Sequence, residues 1–372
     1  MYNSPYAGFE QIWYDSIMAN PFLELYTDYL ISSFSYTTAT GLSFALDGAV
    51  SHDQVTRWLS STDVDSKDLW KKVKPLVRAV ESQDGVLIFD DTVEEKRYTD
   101  ENEFITHHFD HTVGRSVKGI NLLSCLYHSK GTNVPVSFRP VLKPVKYIDP
   151  KTGRERRKSV KTKNEEVREM LQVATCQNQI KYRYVLADVW FSSSETMKYI
   201  KKNLKKEFIF PIKSNRLIRL SETPAHNGYQ SVKLLMVQED VPTRVRLEGL
   251  SFEVLLLKHV YKNEDGSEGT IYLVCSNLTL LADHLLTIYQ KRWTVEEYHK
   301  SLKSNLGLNK SPTQTVRTQS SHIFASIVAY SKLELLKTKT HLNHFALKTK
   351  LYVKALRTSM DELAALKVQY LC

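Results

Sequence analysis

Two aspartates that each follow a short apolar segment are the residues with the clearest chemical potential. Asp91 comes after Val86–Phe89, and Asp188 comes directly after Tyr182–Ala187. An ionised carboxylate at the end of a buried strand needs a partner, and the carboxyl ends of strands are where α/β sheets build their sites. Because Mg²⁺ prefers carboxylate oxygens as ligands, the pair indicates a metal site. The alternative is that one or both aspartates only cap the turn that follows.

A third carboxylate, Glu296, is surrounded in the sequence by cations and aromatic residues. At about 100° per residue, one helix over residues 289–303 places five polar residues on a single stripe. They are Tyr289, Arg292, Glu296, Lys300 and Lys303, and Trp293 lies at the border of the stripe. The pattern predicts that Glu296 completes the metal site, that the cations hold a phosphate backbone and that the aromatic residues stack on unpaired bases. The alternative is a solvated face with helical Glu–Lys pairs.

This segment resembles the Y-x2-R-x3-E-x6-K signature of bacterial insertion-sequence transposases of the DDE class. Tyr289, Arg292, Glu296 and Lys303 match it with every spacing intact. The Asp-Thr pair at 91–92 is similar to the family's first carboxylate, and Asp188, followed by Trp-Phe at 190–191, is similar to the second. The resemblance covers roughly residues 85–310. It implies an RNase H-like fold with a β insertion between the second aspartate and the glutamate.

The resemblance also implies the reaction. Asp91, Asp188 and Glu296 would hold two Mg²⁺ ions, with Mn²⁺ as a substitute, and these activate water and later a DNA 3′-hydroxyl for attack on phosphorus. Strand cleavage is followed by strand transfer into target DNA, with a homodimer bridging two transposon ends. Trp293 or Trp190 would support a flipped base. The implied setting is the bacterial cytoplasm, with nucleoid association when the protein is bound to DNA.

Two choices inside this site stay open in the sequence. Asp90 precedes Asp91, and successive strand residues point to opposite faces, so only one of them should face the metal ions. The family-like Asp-Thr pair favours Asp91. Glu297 follows Glu296 but lies about 100° further round a helix, mostly outside the polar stripe, which favours Glu296.

Residues 1–80 carry helical patterns and no convincing strand. Helices are predicted over Pro21–Ile31, Thr40–Leu46 and Ser51–Leu59. Gly48 suits a turn between the last two helices, and Ser51 is a good N-cap. A helix, a glycine turn and a capped helix form the layout of a helix-turn-helix, which would present His52, Gln54 and Arg57 to DNA. The alternative is an ordinary helical hairpin.

From about residue 84 to 212 the elements follow the order strand, strand, strand, helix, strand, helix, strand. A hairpin that leads into a right-handed crossover predicts an α/β fold with a mixed sheet flanked by helices, and the family resemblance implies that this sheet is RNase H-like. We expect a helical DNA-binding domain over 1–80, core segments over 81–216 and 271–340, an antiparallel β insertion with its own sheet over 217–270, and a helical tail over 341–372. The tail would dimerise or cap the fold.

Two polar segments lie between these elements. The basic stretch from Lys143 to Lys163 is expected to be a loop that contacts DNA, or else disordered. His107, His108 and His111 fit no firm zinc spacing, so we expect them in a polar loop before the second strand.

Bulk composition limits the remaining classes. The 372 residues carry 51 Lys and Arg against 41 Asp and Glu, a net charge of +10, which suits a polyanionic partner or simply a basic surface. None of the four cysteines forms a C-x-x-C pair, so reduced thiols in a cytosol are expected rather than zinc or disulfides. No apolar run reaches the roughly 18 residues of a membrane span, and the N-terminus lacks a secretory pattern.

The sequence therefore predicts a magnesium-dependent DNA transposase with no membrane or small-molecule partner. One alternative is a nuclease of the same fold that lacks strand transfer. The other is a non-catalytic or domesticated DNA-binding regulator, against which the three acids argue because a binding protein has no need of them.

Overall fold

The computed structural model describes residues 20–61, 63–110, 113–222, 228–263 and 265–371. Residues 1–19, in which the sequence shows no secretory pattern, lie outside these ranges, as do His111 and Cys372. Among the helices that are described, none is both long and apolar enough to cross a membrane.

Contacts divide the chain into two compact units. We call the described residues of Met1–Ala79, Glu94–Thr99 and Glu297–Cys372 the helical unit. Those of Val80–Val93 and Asp100–Glu296 form the sheet unit.

The helices are numbered in chain order. They are α1 (Pro21–Ser32), α2 (Ala39–Ala45), α3 (His52–Ser61), α4 (Ser66–Val80), α5 (Lys163–Gln172), α6 (Ser194–Lys198), α7 (Ala282–Gln290), α8 (Trp293–Asn305), α9 (Val316–Thr340) and α10 (His344–Leu371). Short helical turns at Val173–Gln177 and Tyr199–Asn203 extend α5 and α6.

The strands are also numbered in chain order. They are β1 (Val86–Glu95), β2 (Thr106–Asp110), β3 (Arg115–Ser129), β4 (Thr132–Pro140), β5 (Val145–Ile148), β6 (Glu155–Lys158), β7 (Tyr184–Ala187), β8 (Glu207–Ile212), β9 (Leu217–Leu220), β10 (Gln230–Ser231), β11 (Thr243–Leu247), β12 (Val254–Lys262) and β13 (Glu268–Cys275).

Eleven of the described strands join one mixed sheet in the order β10-β9-β11-β12-β13-β8-β7-β1-β3-β2, with β4 paired to β3. The pairs β1–β7 and β7–β8 are parallel, whereas β8–β13 and β12–β13 are antiparallel. The central strands are buried on both faces; β7, most of β8 and the first four residues of β1 carry apolar side chains shielded from solvent. The predicted α/β fold, a mixed sheet flanked by helices of the RNase H-like type, is confirmed.

The β insertion differs from the prediction because it does not form a sheet of its own. β9 to β12 continue the main sheet, since β13 pairs with β8 along one edge and with β12 along the other. Tyr272 lies opposite Ile212 on the first edge, and Leu255 lies opposite Cys275 on the second. Each added strand satisfies backbone groups that the previous edge strand would leave unpaired.

The two polar segments were also predicted wrongly as loops. His107 and His108 belong to β2, in which Thr106 and His108 are buried and His107 is exposed. His108 Nε2 lies 2.7 Å from Thr106 Oγ1, and burial lowers the pKa of His108 to about 3, so its ring is neutral. The basic stretch contains the paired strands β5 and β6, which form a ribbon separate from the main sheet.

In the helical unit, α9 is buried along most of its length and packs against α1 and α3. Tyr26 Oη on α1 lies 2.9 Å from His322 Nδ1, and His322 Nε2 lies 3.0 Å from the carbonyl oxygen of Gly307. Because a carbonyl only accepts, Nε2 carries the proton, and Tyr26 donates to Nδ1. Lys332 on the same helix forms a 2.8 Å ion pair with Glu24.

The predicted N-terminal helices are confirmed as α1, α2 and α3. Asp47 and Gly48 turn the chain between α2 and α3 with φ values of 48° and 77°. Ser51 and Gln54 then form a capping box: the Gln54 amide donates to Ser51 Oγ over 3.2 Å, and the Ser51 amide donates to Gln54 Oε1 over 2.8 Å. His52 and Arg57 are exposed on α3, and their role in DNA binding stays a prediction.

Candidate active site

Strand register brings Asp90 and Asp188 to adjacent positions. Phe89 of β1 is paired with Ala187 of β7 in a parallel ladder, so the next residue on each strand is an aspartate. Opposed residues of neighbouring strands, about 4.8 Å apart, point to the same face of the sheet. β7 ends here because the Asp188 carboxylate accepts a hydrogen bond from the Val189 amide and caps the short helical turn Val189–Phe191.

Asp90 is a partly buried carboxyl group with acidic neighbours. Burial raises the pKa of Asp90 to about 7; the carboxylates of Asp91 and Asp188 add to this, and the Arg292 guanidinium opposes it. Asp90 Oδ1 also accepts a hydrogen bond from the Asp91 amide over 2.9 Å. A concentration of negative charge that is only partly neutralised favours the binding of a cation at this edge of the sheet.

Asp91 lies in a different polar cluster. Its Oδ2 accepts hydrogen bonds from Asn121 Nδ2 over 2.6 Å and from Lys163 Nζ over 2.7 Å. Asn121 belongs to β3 and Lys163 begins α5, so these partners come from elements on which Asp90 does not depend. The structure therefore brings Asp90, rather than Asp91, together with Arg292.

Arg292 connects the acidic strand end with Glu296. Its Nη2 donates to Glu296 Oε1 over 2.8 Å, and its Nη1 lies 4.0 Å from Asp90 Oδ2. The guanidinium is 12% exposed and lies 5.0 Å from the Trp293 ring centroid and 6.0 Å from that of Tyr289. Burial lowers the pKa of Arg292, but Tyr289, Glu296 and Asp90 raise it more in sum, so the arginine stays charged. The buried Nε has no acceptor within the described residues.

The signature residues are divided between two helices and the turn that joins them, with Arg292 in the turn, and the prediction of one helix over 289–303 is wrong. α7 ends at Gln290 and α8 begins at Trp293. Amides across the break bond three residues back rather than four, from Lys291 to Ile288 and from Arg292 to Tyr289. This tighter winding changes the helical phase, so a single stripe at 100° per residue does not describe Tyr289 and Glu296 together.

The other cations predicted for the stripe, Lys300 and Lys303, belong to the helical unit. Lys300 Nζ lies 5.2 Å from the Phe345 ring centroid. Lys303, together with Lys96, lowers the pKa of Glu94, which burial raises to about 7. Both lysines therefore have described partners within that unit.

A groove of about 990 Å³ adjoins the strand-end aspartates, and we call it the Asp188 groove. Its acidic end is lined by Asp188, Tyr289, Arg292 and Trp293, and the rest by residues of β8, β12 and β13 and the segments that follow them, among them Lys213, Asn215, His259, Tyr261 and Tyr272. Trp293 is 57% exposed. Trp190 is 51% exposed, and its ring lies 4.3 Å from Lys213 Nζ. Aromatic rings and cations therefore extend along the groove from the acidic end.

Sequence reasoning missed the residues that the sheet contributes to this groove. His259 and Tyr261 share one face of β12, which pairs with β13 so that Ile271 lies opposite His259 and Gly269 lies opposite Tyr261. Neither strand has a motif that marks it as part of a site. The one available signal was Lys213, a cation directly after the apolar strand β8.

The donor set fits a divalent cation in kind. Asp90 and Asp188 are carboxylates, and carboxylate oxygens suit hard ions such as Mg²⁺. Among the described residues, no three His, Cys, Asp or Glu side chains are grouped as metal ligands. Arg292 accounts for part of this, because the Glu296 carboxylate is paired with its guanidinium.

A mixed RNase H-like sheet with paired acids at parallel strand ends, beside a basic and aromatic groove, is typical of metal-dependent enzymes that cut polynucleotides. A family model described as "DDE superfamily endonuclease" matches residues 18–238, more than half of the chain, and the chain belongs to this family. DNA is the substrate that the family implies, and divalent metals are in general its cofactors. No curated protein matches the chain.

The matched residues include both strand-end aspartates but end before Glu296. The Y-x2-R-x3-E-x6-K signature over residues 289–303 therefore stays a prediction from the sequence.

Proposed function

We propose that the chain is a cut-and-paste DNA transposase that binds transposon ends, cleaves DNA strands and transfers them to target DNA. The observation that supports this most directly is Arg292. Its guanidinium lines the Asp188 groove, pairs with Glu296 and approaches Asp90. An oxygen of a DNA phosphate in the groove would accept hydrogen bonds from this guanidinium, since guanidinium and phosphate groups form strong charge-assisted hydrogen bonds.

The proposed metal ligands are Asp188, Glu296 and one carboxylate of the pair Asp90–Asp91. The family resemblance favours Asp91 through its Asp-Thr pair. The geometry supports Asp90, because it follows the residue paired with Ala187 and approaches Arg292, whereas Asp91 is engaged by Asn121 and Lys163. We therefore assign Asp90 as the first ligand and Asp91 as the residue that fixes the strand end to β3 and α5.

When bound, two Mg²⁺ ions would activate water or a DNA 3′-hydroxyl and stabilise the leaving oxygen at phosphorus. The chain's own residues prepare for this by orienting the substrate. Arg292 binds a phosphate at the acidic end of the groove, and this contact competes with its ion pair to Glu296. DNA binding thus releases the Glu296 carboxylate for the metal site, so that substrate and cofactor assemble the site together.

The aromatic residues along the groove are suited to unpaired bases. Tyr289 is buried, and burial raises its pKa to about 12, so it stays a neutral phenol whose oxygen accepts a hydrogen bond from the Arg292 guanidinium. The exposed rings of Trp293 and Trp190 would stack on bases displaced from the helix, each stack contributing about 1–3 kcal/mol. Lys213, which covers the Trp190 ring, adds a phosphate contact.

Residues of the helical unit would recognise the transposon end. The helix pair α2–α3 presents His52, Gln54 and Arg57 in the order of a helix-turn-helix, although Gln54 already caps α3 through its carbonyl oxygen. Lys303 of the signature and Lys300, four residues after Glu296, would contact phosphates.

The proposed homodimer is supported by α10. From Thr349 to Val368 every described side chain of this helix is exposed. Six apolar side chains form a stripe about 140° wide at 100° per residue. They are Tyr352, Val353, Leu356, Met360, Leu363 and Leu366. A projecting amphipathic helix gains stability when its apolar stripe is covered, and a second copy would cover it.

The spacing within the stripe suits an antiparallel pair. Val353, Leu356, Met360 and Leu363 follow a three-four-three repeat. In an antiparallel arrangement Val353 meets Leu363 and Leu356 meets Met360 of the second copy. A two-fold axis relates the two copies, so each contributes the same surface to the contact. A parallel arrangement would instead place Lys367 against its own copy.

The function is tested by incubating the protein with Mg²⁺ and a plasmid that carries the ends of its own element. Excision together with a joined product supports transposition, cleavage without joining indicates a nuclease, and binding without cleavage indicates a regulator. Asp188→Asn should abolish cleavage, whereas Asp84→Asn, an exposed acid at the opposite end of β1, should not. Full cleavage by the Asp188→Asn variant would show that Asp188 does not belong to the site of cleavage.

A further inference from the structure

The ribbon formed by β5 and β6 stands apart from the main sheet. Among the described strands these two pair only with each other, from Val145 opposite Lys158 to Ile148 opposite Glu155. All of β5 and three of the four residues of β6 are exposed. Since an isolated two-stranded hairpin is marginally stable in water, a partner that contacts the ribbon would stabilise it.

The ribbon is strongly basic. Between residues 145 and 158 the six cations Lys146, Lys151, Arg154, Arg156, Arg157 and Lys158 face two acids. Both acids are already paired within the ribbon, Asp149 with Arg156 and Glu155 with Lys146, each over 2.9 Å. No ion pair among the described residues involves Lys151 or Arg154. The excess positive charge is therefore available to an anionic partner at the tip.

The tip has a defined shape. The Asp149 amide donates to the Arg154 carbonyl over 2.9 Å, the Gly153 amide donates to the Asp149 carbonyl over 2.8 Å, and the Lys151 amide donates to Asp149 Oδ1 over 2.9 Å. Gly153 adopts a φ of +65°, which closes the turn. Lys151 and Arg154 therefore project from a turn that is ordered before any partner binds.

The other end of the ribbon is attached to the sheet unit. The Lys143 amide donates to the Glu103 carbonyl over 2.8 Å, and Arg157 lies 4.0 Å from Glu101. At the free end, Ile148 is 63% exposed beside Pro150. The ribbon is thus attached to the sheet unit at one end, and at the other end it has a basic turn with an apolar residue next to it.

We propose that this ribbon enters a groove of duplex DNA tip first, as a second DNA contact outside the Asp188 groove; the proposal rests on the proposed function, because it specifies how the same substrate is gripped. A two-stranded ribbon fits the major groove of B-DNA. Lys151 and Arg154 neutralise phosphates and release counterions. Ile148 and Pro150 would contact apolar atoms at the base edges of that groove, such as thymine methyl groups.

The test uses the double variant Lys151→Ala/Arg154→Ala of the full chain. Its affinity for a mixed-sequence duplex is measured by fluorescence anisotropy in EDTA over a series of KCl concentrations. Loss of two phosphate contacts should lower the affinity by about tenfold or more and reduce the magnitude of the salt slope by about 2. The matched control is Lys181→Ala/Arg183→Ala, which removes the same charge at the amino-terminal end of β7 and should leave the slope unchanged.

The outcomes separate the ribbon from the proposed function. If the wild-type protein binds the duplex and the tip variant binds with the same affinity and slope, the ribbon proposal is overturned and the function stands. An equal loss in the control variant also overturns it, because net charge alone would then explain the effect. If the wild-type protein does not bind duplex DNA at low salt, both the ribbon proposal and the proposed function fail. Unchanged thermal melting confirms that the exposed tip substitutions leave the fold intact.

Discussion

At the scale of single residues, one step along β1 changes everything that surrounds a carboxylate. Asp90 is buried beside Arg292 and near Asp188, whereas Asp91 is bound by Asn121 and Lys163. The raised pKa of Asp90 means that its ionised form opposes folding, in contrast to a carboxylate that forms a full ion pair. Such unfavourable charge at a strand end is typical of a site that is completed by a ligand.

We predict that Mn²⁺ stabilises the protein through Asp90 and Asp188. At a hundredfold excess over its dissociation constant, the ion should add about 2.7 kcal/mol to the free energy of unfolding, because it binds only the folded chain. Differential scanning fluorimetry measures this as a rise in Tm. Asp90→Asn and Asp188→Asn should lose the rise, while Asp91→Asn keeps it.

The metal-free proteins provide the control for this experiment. At pH 8, Asp90→Asn should melt above the wild type, because the substitution removes a buried charge whose pKa is raised to about 7. The stability penalty from Asp90 is absent below its unfolded pKa and grows as pH rises towards 7. If Asp91→Asn abolishes the Mn²⁺ effect and Asp90→Asn does not, Asp91 is the first ligand, as the family resemblance implies.

His322 leads to a second prediction at this scale. Burial lowers the pKa of His322 to about 4, and the ring is held neutral between Tyr26 and the Gly307 carbonyl. Its folded pKa lies below the unfolded value of about 6.5, so its contribution is fully present above pH 6.5 and is lost as pH falls towards 4.

The loss should amount to about 3 kcal/mol in the free energy of unfolding. Urea unfolding at pH 7, 5 and 4 measures it, and His322→Gln, which cannot titrate, should show a flatter dependence than the wild type. Equal pH dependence in both proteins would contradict the neutral, buried state of this ring.

How far the sequence predicts a site residue depends on where its neighbours lie. Glu296 could be proposed because Tyr289 and Arg292 precede it within one segment, at spacings that resemble a family signature. The choice between Asp90 and Asp91 could not be settled, because it depends on which face of β1 meets β7 and Arg292. Which face this is depends on packing between residues far apart in the sequence, and the spacing of neighbouring residues does not show it.

At the scale of elements, helices with a buried side and strands with clear alternation were predictable. The hairpin β3–β4 follows from two apolar runs around Lys130 and Gly131, which adopt φ values of 50° and 75°. The continuation of the sheet through β9 to β12 was not predictable, because the hydrophobic pattern of a strand does not show which other strand it pairs with. The same holds for β5 and β6, whose basic composition resembles that of a loop.

The C-terminal helix α10 gives a prediction at this scale. Its first turn is anchored, with Lys348 Nζ donating to the carbonyl of Ile31 over 2.5 Å, and the apolar stripe begins only after this turn. Leu356→Glu and Met360→Glu together should convert a dimer into a monomer, because they place charges in the centre of an apolar contact.

Analytical ultracentrifugation over a concentration series checks this change. Thr358→Glu, on the charged side of the same helix, serves as the control and should leave the mass unchanged. A wild-type protein that is monomeric at all concentrations would exclude the pairing through α10 in the absence of DNA.

At the scale of the whole molecule, neither compact unit is continuous in sequence. The helical unit consists of three segments and the sheet unit of two. In the helical unit, Tyr26 and Glu24 of the first segment depend on His322 and Lys332 of the last. Sequence order alone therefore does not show which residues fold together.

We predict that residues 1–80, expressed alone, do not form a stable fold. Without α9, side chains such as Leu23, Tyr26 and Leu30, which are fully buried in the full chain, would be exposed to water. Circular dichroism and amide proton dispersion measure the result, with the full chain as the reference. A cooperative melt and a dispersed spectrum from the fragment would show that it is an independent domain.

The exposed ribbon also has a consequence for proteolysis. Trypsin cleaves after lysine and arginine, and the ribbon offers six such bonds within a short, weakly packed segment. Limited digestion should therefore nick the protein there first, and nucleic acid seated on the tip would slow that cut. The rate of a single early cleavage is thus a label-free measure of occupancy at one chosen surface of this protein.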